Sequence, residues 1–228
     1  DDPFDYTGSD ANTDWQDEIF QTAFITNNNI SITGASPKHS FYLGVGYSYE
    51  QGNIEHEKFS KVTINASNDY KITDFLKVGF QFNGARMLPA DSKQVLNALR
   101  ATPIAPVYNN EYGLYTALPE FQKAQINNPM VDVELKANTT KAENYRASGN
   151  IYGEVDFLKH FTFKAMFSMD YASNNGRTYT PIVKVYDAAV NGGISTLGTG
   201  KTEVSQFKEN ETKVQSDYLS VSYTHLRA

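Results

Sequence analysis

The sequence predicts an all-β protein: a fragment of an antiparallel transmembrane β-barrel, about seven or eight strands long, with long extracellular loops. Three observations carry that prediction. Hydrophobicity alternates with period two, which marks strands with two chemically different faces. The runs are ~10–13 residues long, against ~5–6 in globular proteins, and that suits a tilted strand crossing a bilayer. The connections alternate between short and long, as they do in outer-membrane barrels.

Asn28 to Thr33 reads as a short first strand with Ile30 and Ile32 on one side. From Phe41, one parity is Phe41, Leu43, Val45, Tyr47 and Tyr49, against Ser40, Tyr42, Gly44, Gly46 and Ser48. Val62, Ile64, Ala66 and Tyr70 alternate with Lys61, Thr63, Asn65, Ser67 and Asp69. Leu76, Val78, Phe80 and Phe82 alternate with Lys77, Gly79, Gln81 and Asn83. Tyr145 to Phe157 sets an uncharged parity against Arg146, Asn150, Tyr152, Glu154 and Asp156. Phe161 to Tyr171 is aromatic-rich on one parity, and Asp217 to Tyr223 closes the series with Leu219 and Val221. Aromatics gather at the ends of the apolar parity, where the two membrane interfaces would lie. Leu43, Val45 and Tyr47 are therefore expected to face lipid. Tyr42, Gln81, Asn83, Asn150, Tyr152 and Glu154 are expected to face the lumen.

The connections Gly34 to His39, Lys71 to Phe75 and Leu158 to His160 are short. Gln51 to Lys58 is intermediate, while Leu88 to Asn144 and Ala172 to Thr212 are long. Two such loops would argue against a compact soluble domain, but in a barrel they are where recognition happens. Within the first, Asp91 or Ser92 is placed to cap a helix whose Val95, Leu96 and Leu99 share a face, and Thr102-Pro103 ends it. Asp74-Phe75-Leu76-Lys77 recurs as Asp156-Phe157-Leu158-Lys159, a hairpin turn with an aromatic anchor that is expected twice on the periplasmic side.

Composition narrows the function. Lys and Arg number 20, Asp and Glu 26, and the net charge is −6, which excludes a polybasic nucleic-acid binder. With 15 Tyr, 14 Phe and 1 Trp the chain is too aromatic to be disordered. Cysteine is absent, which removes disulfides, thiolate metal sites and cysteine nucleophiles. No apolar run approaches the ~18 residues of a membrane helix. The chain opens on Asp1 rather than Met and stops inside a strand, so it is expected to be a piece of a longer protein, with residues 221–228 an expected non-native tail.

Several stretches resemble a known family. Thr13-Asp14-Trp15-Gln16-Asp17-Glu18-Ile19-Phe20, Asn29-Ile30-Ser31-Ile32-Thr33-Gly34, Tyr42 to Gly52, Asp74-Phe75-Leu76-Lys77-Val78-Gly79 and Pro103-Ile104-Ala105-Pro106-Val107-Tyr108-Asn109 occur in that order. Together they resemble the start of the barrel in SusC/RagA-type TonB-linked outer-membrane proteins. Glu111-Tyr112-Gly113 departs from the family pattern, in which an acidic residue more often directly precedes the glycine. The resemblance implies a 22-stranded, plugged barrel, with residues 1–27 as the plug-to-barrel junction and first-strand region and 28–223 as the N-terminal part of the barrel. It implies import of oligosaccharides, or of peptides, across the outer membrane of a Bacteroidota-like bacterium. It also implies a SusD-like lipoprotein partner and energising by the TonB complex through a segment not in this sequence.

No residue is expected to be catalytic, and neither a cofactor nor a metal is expected. His39, His56, His160 and His225 lack the paired spacing of a metal site and read as turn or loop residues. Glu154 and Asp156 share a parity, but lie on a wet face near a turn rather than flanking a cleft. Asn65, Asn138 and Asn210 begin chance glycosylation sequons, and Gly192, Gly193, Gly198 and Gly200 read as loop flexibility. Tyr108, Asn109, Asn110, Tyr112 and Tyr115 form the candidate substrate-contact or lid-contact loop, because rings stack on sugars and amides bond hydroxyls. Packing within the loop is the plainer alternative for them. For the whole chain the alternatives are a passive porin or autotransporter barrel, and a secreted β-sandwich binding module.

Overall fold

The computed structural model of the chain describes residues 10–90, 95–158, 160–198 and 200–222, with the side chains of 135–138 excepted. In chain order the elements are α1 (Trp15–Ile19), β1 (Ile25–Ser36), β2 (His39–Gln51), β3 (Lys58–Lys71), β4 (Leu76–Leu88), α2 (Val95–Arg100), β5 (Tyr108–Asn109), β6 (Leu114–Tyr115), α3 (Glu120–Lys123), α4 (Pro129–Thr139), β7 (Thr140–Phe157), β8 (Phe161–Thr180), β9 (Val183–Tyr186), β10 (Ile194–Leu197) and β11 (Glu203–Ser222). Seven long strands form one antiparallel meander in the order β1-β2-β3-β4-β7-β8-β11, and β5-β6 and β9-β10 are small hairpins.

From β1 to β8 the register keeps the two chemistries largely apart, but on β11 the expected apolar pair Leu219 and Val221 falls opposite Lys164 and Thr162 on the polar face, because the β8–β11 ladder sets that strand's parity. Ile32, Leu43, Ala66, Phe82, Gly149, Met169 and Val214 fall in one row on one face. Thr33, Tyr42, Ser67, Gln81, Asn150, Ser168 and Gln215 form the next row, on the other face. Because side chains alternate with period two, a one-residue slip between any pair of strands would exchange the faces. The turns Pro37-Lys38, Ile72 to Phe75 and Leu158 to His160 lie at one end, the turn end. The connections 52–57, 89–139 and 181–202 lie at the other, the loop end.

Several expected boundaries shift. The first strand is twelve residues rather than six, because β2 supplies a partner along its full length. The segment expected to be a loop from Ala172 to Thr212 is mostly strand, with β8 reaching Thr180 and β11 starting at Glu203. Those residues are mostly polar, and the apolar ones among them, Tyr179, Val204 and Phe207, do not alternate, so the hydrophobic pattern does not reveal the strands that the backbone ladder carries outward. α2 forms where expected but presents another face: Ala98 is buried while Leu96 and Leu99 are half exposed. Its predicted cap, Asp91 or Ser92, lies outside the described residues, as do Lys159, Tyr223 and His225. The two turn motifs are neighbours at the turn end, where the Asp156 amide donates to the Phe75 carbonyl.

Residues 10–24, expected to lead into the first strand from a plug junction, pack at the loop end. The Asp14 carboxylate caps α1 by accepting from the amides of Gln16 and Asp17. The Trp15 indole N–H donates to the Thr102 carbonyl over 2.8 Å, and the Glu55 amide donates to the Ile19 carbonyl.

Candidate functional site

At the loop end, four stretches of chain build a cap with its own core. Trp15, Ile19, Ile54, Ala98, Leu118, Met130 and Val133 belong to one buried cluster, and Val131, Ala117 and Val185 to a second. Asn128 joins the pieces: it is 1% exposed, its amide nitrogen donates to the carbonyls of Val107 and Thr116 at 2.9 Å each, and its side-chain oxygen accepts from the Met130 amide. That last bond caps α4, whose first residue is Pro129. Asn before Pro is a helix-start signal legible in the sequence, and it locates a helix that the hydrophobic pattern misses. Lys123 pairs with Asp187 at 3.0 Å and with Glu120, tying α3 to the β9–β10 hairpin. The Glu120 and Asp187 carboxylates hold the Lys123 ammonium above its usual pKa range.

Within this cap the predicted loop residues divide. Tyr108 and Tyr115 face each other across the β5–β6 hairpin, ring edge to face at 5.4 Å. Tyr115 is packed against both core clusters, and burial followed by the charges of Glu134, Tyr108 and Glu55 pushes its hydroxyl pKa up. Asn109 closes the turn by accepting from the Tyr112 amide. Tyr112 lies 4.9 Å from the ring of Tyr186, and the two rings close over Gly193. Tyr108, Tyr112 and Asn110 keep exposed surface, so the cap offers two Tyr faces and an amide outward. Tyr186 was not legible as a partner because it lies across a second loop.

His56 sits in a loop, as expected, in the left-handed region at φ 65. The fold nevertheless brings its Nε2 within 2.7 Å of Glu134, with Glu55 beside them. Glu134 is 78 residues away, beyond any local spacing rule. His39 stacks on Phe41 at the turn end, and His160 is an exposed turn residue.

The polar face of the sheet carries all six residues expected in the lumen. Tyr42 lies across Gly44, where a Cβ would meet its hydroxyl at 2.5 Å; the glycine makes room for the ring. Asn150 donates to Gln81 at 3.4 Å, and Asn83 is exposed in the same region. Tyr152 donates to Asp69, and the Lys164 ammonium sits 4.2 Å from the ring centre with Lys77 on the neighbouring strand at 5.6 Å. Glu154 lies in register between Lys77 and Lys164, and Asp156 accepts from Thr162, so the two carboxylates serve separate partners.

No protein-family model matches the chain. TonB-dependent receptor P3 of Formosa agariphila is 28% identical over 227 residues, covering 94% of this chain and 21% of that protein. TonB-dependent receptor SusC of Bacteroides thetaiotaomicron is 26% identical over 203 residues, covering 77% of this chain and 19% of that protein. The chain thus spans about a fifth of the length of the curated relatives it matches. Its fold is similar to the RagAB peptide importer in the open-open state, with a TM-score of 0.62 at 18% identity over 77% of this chain and 21% of that one. A second RagAB peptide transporter structure gives 0.62 at 14% identity over 96% of this chain and 28% of that one. The matched proteins are receptors and transporters rather than enzymes. Sequence similarity and the two-faced meander agree: over most of its length the chain is similar to a segment of SusC-type TonB-dependent receptors, and its fold is similar to part of the RagAB transporter.

Proposed function

We propose that the receptor containing this chain sits in the outer membrane as a plugged barrel and imports an oligosaccharide, or a peptide, with energy from the TonB complex. A SusD-like lipoprotein covers the loop end as a lid. The observation that carries this reading is the register: one largely apolar face and one largely polar face run across the six long strands from β1 to β8. A lipid-facing wall and a wet lumen need that arrangement, and a sandwich strand of ordinary length does not. The apolar face meets lipid, and Tyr42, Gln81, Asn83, Asn150, Tyr152 and Glu154 face the lumen. The loop end is extracellular, since long loops gather on that side of such barrels.

On this reading Tyr108 and Tyr112, with Tyr186 and Asn110, contact the substrate or the lid; Asn109 and Tyr115 shape the loop that presents them. Growth on single glycans or peptides as sole carbon source, with the intact receptor and with Tyr108 and Tyr112 both changed to Ala, tests it. Uptake should fall about tenfold at unchanged receptor level, as expected when ~1–1.5 kcal/mol of ring contact is lost. Unchanged uptake on every substrate that requires the receptor would remove the loop from the site. An epitope near Asn110 that is reached only after the outer membrane is opened would invert the topology.

A further inference from the structure

On the apolar face, the row beyond the upper aromatics is basic. Tyr145 and Tyr171 mark the upper edge of the band, with Phe157 and Phe161 at the lower edge. From Phe157 to Tyr145 the strand climbs roughly 30 Å, at ~3.3 Å per residue and a tilt of ~40°, which matches the ~25 Å apolar band plus its interface. Arg86 is the cross-strand partner of Tyr145. Above it, on the same face, stand Lys141 and Arg177, directly opposite each other in the β7–β8 register, and Lys208 on β11. Arg86, Lys141, Arg177, Glu143 and Gln206 line one open groove of about 320 Å³.

The charges do not balance within the groove. Arg86 is matched by Glu143, which also accepts from the Tyr145 hydroxyl over 2.6 Å. Lys141 and Arg177 are both exposed, and neither makes an ion pair among the described residues. Like charges placed directly opposite on neighbouring strands destabilise a sheet, unless an anion lies between them. The chain as a whole is acidic at −6, so a basic excess here is local.

We propose that this groove binds the phosphate of an anionic lipid headgroup, with Lys141 and Arg177 holding it and Tyr145 and Tyr171 packing at the head of the acyl chains. The inference rests on the outer-membrane reading given above. Lysine gives a point charge and arginine a fork, and both suit a phosphate. The height of the groove favours a lipid over a free anion: it opens where a headgroup would lie beside the barrel wall.

The test uses the tag-free full-length receptor in neutral detergent. Heat-modifiable gel migration is read first; wild type that does not shift on heating would defeat the barrel reading itself, before any lipid is added. Phosphatidylglycerol and phosphatidylethanolamine are then titrated, with binding read by native mass spectrometry. Wild type should prefer phosphatidylglycerol, and the double variant Lys141→Gln, Arg177→Gln should bind it at least about fivefold more weakly while remaining heat-modifiable. Lys38→Gln, at the turn end, should bind as wild type does. If the double variant does not assemble, Lys141→Gln alone decides: it should melt no lower than wild type in lipid-free detergent, and phosphatidylglycerol should raise its melting temperature less. Equal phosphatidylglycerol binding by wild type and variant overturns the proposal. So does displacement of the lipid by millimolar inorganic phosphate, which would make this a small-anion site.

Discussion

The sheet and the cap are stabilised by different physics. Every buried hydrophobic side chain among the described residues lies in the cap or its connections, and none lies in the seven-stranded sheet. Val45, Ile64, Phe82, Ile151 and Met169 instead stand on the apolar face with two-fifths or more of their surface open. A soluble protein does not leave such a face uncovered. The sheet therefore depends on its ladder and on what surrounds it, while the cap carries a core like that of a small globular domain. The lesson is that a barrel's loops need not be flexible: here they fold on themselves, with Trp15, Ile54 and Val133 drawn from three separate stretches.

The sharpest way to break this contrast is Trp15→Ala in the full-length receptor. Losing a buried Trp and its bond to Thr102 should cost the cap ~3–5 kcal/mol. Protease should then cut between 95 and 139 on intact cells, while heat-modifiable migration persists; if the barrel fails together with the cap, the two are one cooperative unit. Val45→Arg attacks the other half. On a lipid face it should cost ~2–4 kcal/mol and depress assembly. Gly46→Ser, on the opposite face, should cost roughly 1 kcal/mol or less, because its Cβ meets only the side-chain ends of Asn29 and Thr63. Assembly of the first at wild-type levels alongside failure of the second would reverse the faces.

Lys123→Met is expected to loosen the cap by ~1–3 kcal/mol, because it leaves the nearly buried Asp187 carboxylate without its cation. The same pair gives a pH signature. Lys123 has a folded pKa raised above that of the unfolded chain. Its contribution is thus complete below the ordinary lysine range and is lost as pH rises through the folded value. Cap amides should exchange faster in strong alkali in the wild type, and this extra loss should be absent in Lys123→Met. The smallest effect is Tyr186→Phe, which keeps the ring beside Tyr112 and should change cap stability by less than ~0.5 kcal/mol. Tyr186→Ala should cost ~0.5–1.5 kcal/mol more than that, read by the same proteolysis.

The period-two alternation by itself determined the all-β class, which residues share a face, and which end holds the long loops. A strand writes its two environments into every second residue, so Leu43 and Val45 against Gly44 and Gly46 need no partner to be read. The outward continuations of β8 and β11 were not legible, because they are mostly polar and their few apolar residues, such as Val204 and Phe207, fall on opposite faces without alternation. α4 had a local signal in Asn128-Pro129, yet its packing did not follow from that signal. Only the tertiary structure decided what met in the cap: His56 with Glu134, Tyr112 with Tyr186, Lys123 with Asp187. Those pairs join loops tens of residues apart, and their contact depends on the strands between them returning each loop to the same end. It also decided that Lys141 faces Arg177, since the register of a hairpin is a property of two strands and is written in neither alone.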